Sequence, residues 1–299
     1  MMDARRMTPF ASDGKCYRAY LMTDPLPPGL YVVATPIGNL GDLSPRAADT
    51  LRRAAEILAE DTRVTGKLLA HIGAKTRMRR FDDHASERDR DSIVARLGSE
   101  AIALVSDAGT PLISDPGYEL VRAAREAGHD IYTVPGPSAA IAALTLAGLP
   151  TDRFLFVGFL PAKAKARADA IADVAAIRAT LVVYESGPRL GDTLAELSRQ
   201  LGERDAAIAR ELTKLHEECV TGTLGELAER YADASPKGEI VVVVGPPPEK
   251  AEATDSELDA ALSEALAASS PSRAAAEVAE ALSVPRKRAY ARALELSRK

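Results

Sequence analysis

The sequence predicts an α/β protein: two α/β domains followed by a small helical module. Three observations carry that prediction. Short apolar runs alternate with helix-like segments from residue 30 to residue 244. Three of these runs lead directly into loops built from Gly, Pro, Ser and Asp, at residues 34–40, 106–117 and 134–140. A run of prolines at 246–248 then breaks the pattern, because successive prolines remove backbone donors and stiffen the chain. Beyond it only helical periodicity remains.

The elements follow in order. Residues 30–34 form a buried strand, and the helix after its loop opens with Ser44 as N-cap and Pro45 at the first helical position. Residues 57–59 form a second strand that ends abruptly in Glu60, Asp61, Thr62 and Arg63. A helix over 64–71 stops at Gly73, a third strand spans 76–81, and Ser86 caps a helix that runs to Leu97. The strand at 101–105 precedes the longest loop, and a helix over 118–127 leads to a strand at 131–134 and a helix over 138–146. The second domain carries strands at 154–159, 180–184, 206–209 and 240–244, with helices at 164–177, 190–201 and 224–231. The expected division is 29–147 for the first domain, 148–245 for the second, 246–255 for the linker and 256–299 for the helical module. Within that module Leu258, Leu262 and Leu266 mark the first helix, 272–282 and 285–296 give two more, and Tyr290 and Leu294 are the expected core stripe of the last.

Composition narrows the function. At 299 residues the chain exceeds the usual single-domain size and can bury a core without staples. The two cysteines, Cys16 and Cys219, and the four histidines, His71, His84, His129 and His216, lack metal-ligand spacing, so a metal-free cytoplasmic protein is expected. No apolar run reaches membrane-spanning length and the first residues lack a secretory apolar region; residues 1–28 read as a disordered extension with Met7 and Met22 as alternative starts. The net charge of −5 means that any nucleic-acid contact is local rather than driven by the far field. No phosphate-binding P-loop or G-x-G-x-x-G follows a strand, which argues against an ATPase or a Rossmann dehydrogenase. Residues 136–140 begin like a nucleophile elbow but lack its closing glycine.

Ligands of open α/β sheets bind beyond the carboxyl ends of strands, so three such loops point to one shared cleft. Glu60, Asp61, Arg63, Glu185, Arg210, Glu211, Lys214 and Glu217 lie at or just after expected strand ends. The last helix adds Arg286, Lys287, Arg288 and Arg292 on a helix-turn-helix-like module.

Taken together, residues 31–40, 59–63, 106–117, 135–139, 154–161 and 210–218 resemble the tetrapyrrole (corrin/porphyrin) methylase superfamily, and within it the bacterial ribosomal small-subunit methyltransferase I branch. The resemblance implies S-adenosylmethionine held, without metal, in the cleft between two α/β domains. It also implies 2′-O-methylation of a cytidine ribose in 16S rRNA near the decoding centre, on the RNA or the small subunit, by a homodimer. It places Pro36, Ser106, Asp107, Ala108, Gly109, Ser138, Ala139 and Tyr184 around the cofactor. Asp61 or Glu211 would be the base for the ribose hydroxyl, and Lys214 would clamp phosphate or lower the hydroxyl pKa. Arg63, Arg77, Arg79 and Arg80, with the four cations of the last helix, would hold the RNA. The pattern departs from the family at Gly187 and Pro188, where Pro then His is expected. A precorrin or uroporphyrinogen methyltransferase on the same fold, or a non-catalytic nucleic-acid-binding factor, are the competing readings. The basic terminal helix argues against the first, and the three intact loops argue against the second.

Overall fold

The computed structural model describes residues 25–82, 85–248, 253–282 and 284–297. Most of the expected N-terminal extension, with Met7, Cys16 and Met22, lies outside the described residues, as do His84 and linker residues 249–252. Residues 25–28, expected within that extension, are tied to the first strand: the Tyr31 hydroxyl donates to the Pro27 carbonyl at 2.9 Å.

The first sheet holds β1 (Gly29–Val33), β2 (Glu56–Ala59), β3 (Met78–Arg80), β4 (Ala101–Val105) and β5 (Ile131–Val134) in the order β3-β2-β4-β1-β5. Every pairing is parallel. Alternate residues of its central strands face opposite cores, as the pleat requires. Tyr31, Val33, Ile57, Ala103 and Val105 pack against α1 (Pro45–Arg53) and α2 (Thr62–His71). Leu30, Leu58, Ile102 and Leu104 pack against α3 (Glu87–Val94) and α4 (Tyr118–Glu126). Ser44 caps α1 by accepting from the Ala47 amide at 3.1 Å, with Pro45 in the first turn.

The second sheet is mixed. It contains β6 (Phe154–Phe159), β7 (Thr180–Ser186), β8 (Asp205–Arg210), β9 (Glu218–Thr223) and β10 (Glu239–Val244) in the order β6-β7-β10-β8-β9. β6 and β7 are parallel, whereas β10 runs antiparallel to both β7 and β8, and β9 is antiparallel to β8. β9 was not among the expected strands. Its residues Glu218, Cys219, Thr221 and Gly222 lack a clean apolar alternation because it is an edge strand and little of it is buried. One face of the sheet packs on α6 (Ala164–Val174), α7 (Gly187–Leu201) and α8 (Leu224–Tyr231). The other face, with Val182, Ala207, Ala209, Val241 and Val243, takes α5 (Ala139–Leu146), the helix that follows the first sheet. This helix packs the first half against the second within one unit, which ends at Pro247.

The second unit begins at Pro248. Its helices α9 (Asp255–Leu266), α10 (Pro271–Leu282) and α11 (Arg286–Leu296) bury Leu258, Leu262, Ala275, Val278, Ala289 and Ala293. Tyr290, expected in that core, is 43% exposed instead. Small alanines at 289 and 293 let α11 approach its neighbours closely, and this turns the bulky Tyr290 outward.

The departure at Gly187 has a steric reason. A Cβ there would sit 1.5 Å from the Pro236 carbonyl oxygen, so the start of α7 and the segment before β10 pack backbone against backbone. Gly187→Ala is expected to destabilise the protein by roughly 3 kcal/mol through this overlap, read as a lowered midpoint in chemical denaturation.

Candidate active site

Parallel pairing puts the carboxyl ends of β4, β1 and β5 side by side, and their following loops bond to one another. Thr35 and Gly109 exchange backbone hydrogen bonds at 2.8 and 3.1 Å. The Thr35 hydroxyl donates to the Ser106 carbonyl at 3.2 Å, and the Thr110 hydroxyl donates to the Pro137 carbonyl at 3.0 Å. The second sheet meets this edge with the ends of β6, β7 and β8. Because β10 is antiparallel, it brings its amino end there too, with Glu239 opposite Ser186 and Val241 opposite Tyr184.

Between the two edges lies a cavity of about 230 Å³. Of the residues expected around a cofactor, Asp107, Ala108, Gly109, Ser138, Ala139 and Tyr184 line it. Ser106 does not: it is buried behind the wall, where its hydroxyl bonds to Asp115. Pro36 is also outside the lining, although its neighbour Ile37 is in it. Tyr184 joins the two halves, because its hydroxyl accepts the Ala140 amide at 3.1 Å and so takes one of the orphan donors at the start of α5. Its ring packs edge-on against Phe156 and Phe159, and burial pushes its phenol above the usual range.

The polar lining is one-sided. Glu60, Asp107, Asp115, Glu211 and Glu239 face the cavity, and the single cation, Lys214, is 2.9 Å from Glu211. Such a surface suits a cationic ligand. Glu211 and Thr213 both hold positive φ, 52° and 64°, so the loop carrying Lys214 is held in a conformation that side chains disfavour. Asp115 stands apart: burial, then the neighbouring charges of Glu60, Glu239 and Asp107, push its carboxyl up to about 6, against the opposing hydrogen bond from Ser106.

Asp61, expected as a base, is placed otherwise. It is absent from the cavity lining and caps α2, accepting from the Arg63 amide at 2.8 Å. Its carboxylate also takes the Arg63 guanidinium, and these bonds hold it well below the usual range, at about 2. A carboxylate so committed to its partner is a weak proton acceptor.

The expected RNA-binding cations are also largely paired. Arg63 binds Asp61, Arg77 and Arg79 share the buried Glu56, and Arg80 lies 2.7 Å from Asp82. In the helical module Arg288 pairs with Asp255, and Arg292 with Asp259 and Glu295. Arg286 and Lys287 have no ion-pair partner among the described residues. Arg63, Arg77, Arg79 and Arg80 do not line the cavity.

Sequence reasoning gives no role to two of the lining carboxylates. Asp115 lies inside the 106–117 loop. Glu239 precedes an apolar run, and a search of strand carboxyl ends overlooks the amino end of an antiparallel strand. Among the described residues no cluster of His, Cys, Asp or Glu is arranged to hold a metal ion, and no helix is long and apolar enough to cross a membrane.

The strand-end loops of a parallel sheet thus close on a mixed sheet across an acidic cavity. Residues 29–228 match the family model of tetrapyrrole (corrin/porphyrin) methylases, and residues 252–297 match the RsmI C-terminal HTH domain. The chain belongs to this family, in the branch of the ribosomal RNA small subunit methyltransferase I proteins. It is 56% identical to the protein of that name from Erythrobacter litoralis, over 91% of this chain and 97% of the relative. The corresponding protein of Mesorhizobium japonicum is 48% identical over 91% of this chain and 93% of its own length. Among solved structures, uroporphyrin-III C-methyl transferase from Thermus thermophilus, complexed with S-adenyl homocysteine, shares the fold. Its TM-score is 0.50, with 23% identity over 73% of this chain and 97% of that one.

Two outcomes follow from this geometry. Tyr184→Phe leaves the buried Ala140 amide without its acceptor and is expected to cost about 1–3 kcal/mol in denaturant unfolding. Asp115 has a folded pKa near 6, above its unfolded value of 3.8, so the native state holds the extra proton between these values and stability falls as pH rises through that window. Asp115→Asn is therefore expected to melt above wild type at pH 8, with the gain vanishing towards pH 4, as followed by calorimetry.

Proposed function

We propose that the protein transfers a methyl group from S-adenosylmethionine to a ribose 2′-hydroxyl of small-subunit ribosomal RNA. The observation that carries this reading is the acidic cavity closed by the three loops, in a chain that matches both family models and aligns with its relatives along most of its length. The finer proposal is a cytidine near the decoding centre, modified by a homodimer.

The residues present fit this donor. Five lining carboxylates favour the positive charges of its sulfonium and ammonium groups, while Ile37, Ile113, Phe159 and Tyr184 offer apolar and aromatic surface. Asp107, Ala108, Gly109, Ser138, Ala139 and Tyr184 would hold it. When bound, it supplies an electrophilic methyl carbon. The chain's own work is then to align the ribose oxygen with that carbon, which positioning alone accelerates strongly, and to remove the hydroxyl proton.

Asp115 is the proposed acceptor of that proton. A base works best when its pKa lies near the operating pH, and Asp115 combines a cavity position with a carboxyl near 6. Ser106 orients it from behind the wall. Glu211 remains the second lining candidate from the sequence, held by Lys214, whose ammonium would sit against the RNA or polarise the hydroxyl.

Single-turnover methylation of purified small subunits tests the assignment. Asp115→Asn is expected to lower the rate by about 10²–10⁴-fold with donor affinity little changed, and to abolish a rate rise with apparent pKa near 6. Asp61→Asn, which keeps the helix cap, is expected to stay near the wild-type rate. A large rate loss in Asp61→Asn with none in Asp115→Asn would reverse the assignment.

A further inference from the structure

A polyanion cannot be held by the cavity itself, whose lining is acidic apart from Lys214. Immediately beside it, however, the second sheet builds a separate concave surface lined by Arg210, Glu218, Arg230, Tyr231, Ala234, Pro236 and Lys237. Three cations face one carboxylate there. Arg210 is paired with Glu218 at 2.5 Å, whereas Arg230 and Lys237 have no ion-pair partner among the described residues. The Arg230 guanidinium lies 5.9 Å from the centroid of the Tyr231 ring. The surplus positive charge is therefore uncommitted.

Two adjacent strands join this basin to the cavity. At the end of β8, Arg210 lines the basin and the next residue, Glu211, lines the cavity. At the start of β10, Lys237 lines the basin and Glu239 lines the cavity. Only Gly238 separates them, with φ 93°, and a Cβ there would fall a tight 3.0 Å from Glu211 Oε1. The register pairs Ile240 with Arg210, so the two crossings are neighbours. The backbone contact between Gly187 and Pro236 anchors the same segment from below. A ribose presented to the cavity would thus have its adjoining backbone at the rim where the surface changes from acidic to basic.

We propose that the basin formed by Arg210, Arg230 and Lys237 binds the RNA phosphodiester backbone next to the ribose being methylated. This rests on the reading of the cavity as a ribose methylation site. The basin holds the anion by charge and sets the register of the strand, whereas the cavity performs the chemistry. It also resolves how an acidic protein takes a polyanionic substrate, since a local cationic surface is sufficient at physiological salt.

The test uses the full-length protein with purified small subunits, measuring kcat and KM across a range of salt. Arg230→Ala and Lys237→Ala each remove one exposed cation without touching the cavity. Each is expected to make the slope of log KM against log salt shallower by about 1, and the double variant to raise KM on the order of tenfold at low salt. kcat and calorimetric affinity for S-adenosylmethionine should be unchanged. Lys165→Ala, an exposed cation on α6, serves as control. Unchanged KM and salt slope in the double variant would overturn the basin, as would an equal loss of donor affinity, which would mark a structural role. A wild-type protein that binds the donor yet methylates no subunit would instead refute the reading of the cavity. Anisotropy of a labelled single-stranded RNA oligonucleotide then still decides the basin, because the double variant must bind it more weakly if the assignment holds.

Discussion

The reciprocal backbone hydrogen bonds between Thr35 and Gly109 are the constraint on which the cleft depends. Loops at the end of a parallel sheet are free to splay, since the ladder that orders the strands stops where they begin. Here the loop after β1 is stitched to the loop after β4, and Thr110 reaches from the latter to Pro137 after β5. Neutral hydrogen bonds of this kind each contribute only about 0.5–1.5 kcal/mol net, but leaving their buried groups unpaired costs more. The loops are therefore held in one arrangement by the cost of every other.

That arrangement is completed from the opposite sheet. α5 emerges from the first half but buries its apolar face on Val182, Ala207, Val241 and Val243 of the second, and Tyr184 of the second half receives the Ala140 amide of α5. Displacing one sheet from the other would expose this core and orphan that amide together. The cavity is thus bounded by a packed joint, which suits chemistry that depends on alignment more than on strong acids or metals.

Charge is partitioned with similar economy. Carboxylates concentrate in the cavity, where burial first and then the neighbouring charges raise Asp115. Arginines elsewhere are largely matched in ion pairs: the buried Glu56 alone gathers Arg77, Arg79 and Arg96. The buried carboxylate needs such partners, because an uncompensated charge in the interior is strongly unfavourable. Its three arginines therefore have a structural part in the fold.

Much of the fold was legible in the sequence because local rules and tertiary structure agree there. Apolar runs became buried strands, Ser44 and Pro45 opened α1, Ser138 preceded α5, and the three prolines at 246–248 fell where one compact unit ends and the next begins. The three loops that line the cavity were legible because three strand-end loops of the same Gly, Pro, Ser and Asp composition point to one shared cleft. Tertiary structure decided the rest. The antiparallel course of β10 brings Glu239 to the cavity, and no local pattern records strand direction. Pairing with Arg63 holds the Asp61 carboxylate well below the usual range, while burial pushes the Asp115 carboxyl above it. Side-chain identity and spacing are properties of the chain, but a carboxylate's proton affinity is a property of what folding places beside it.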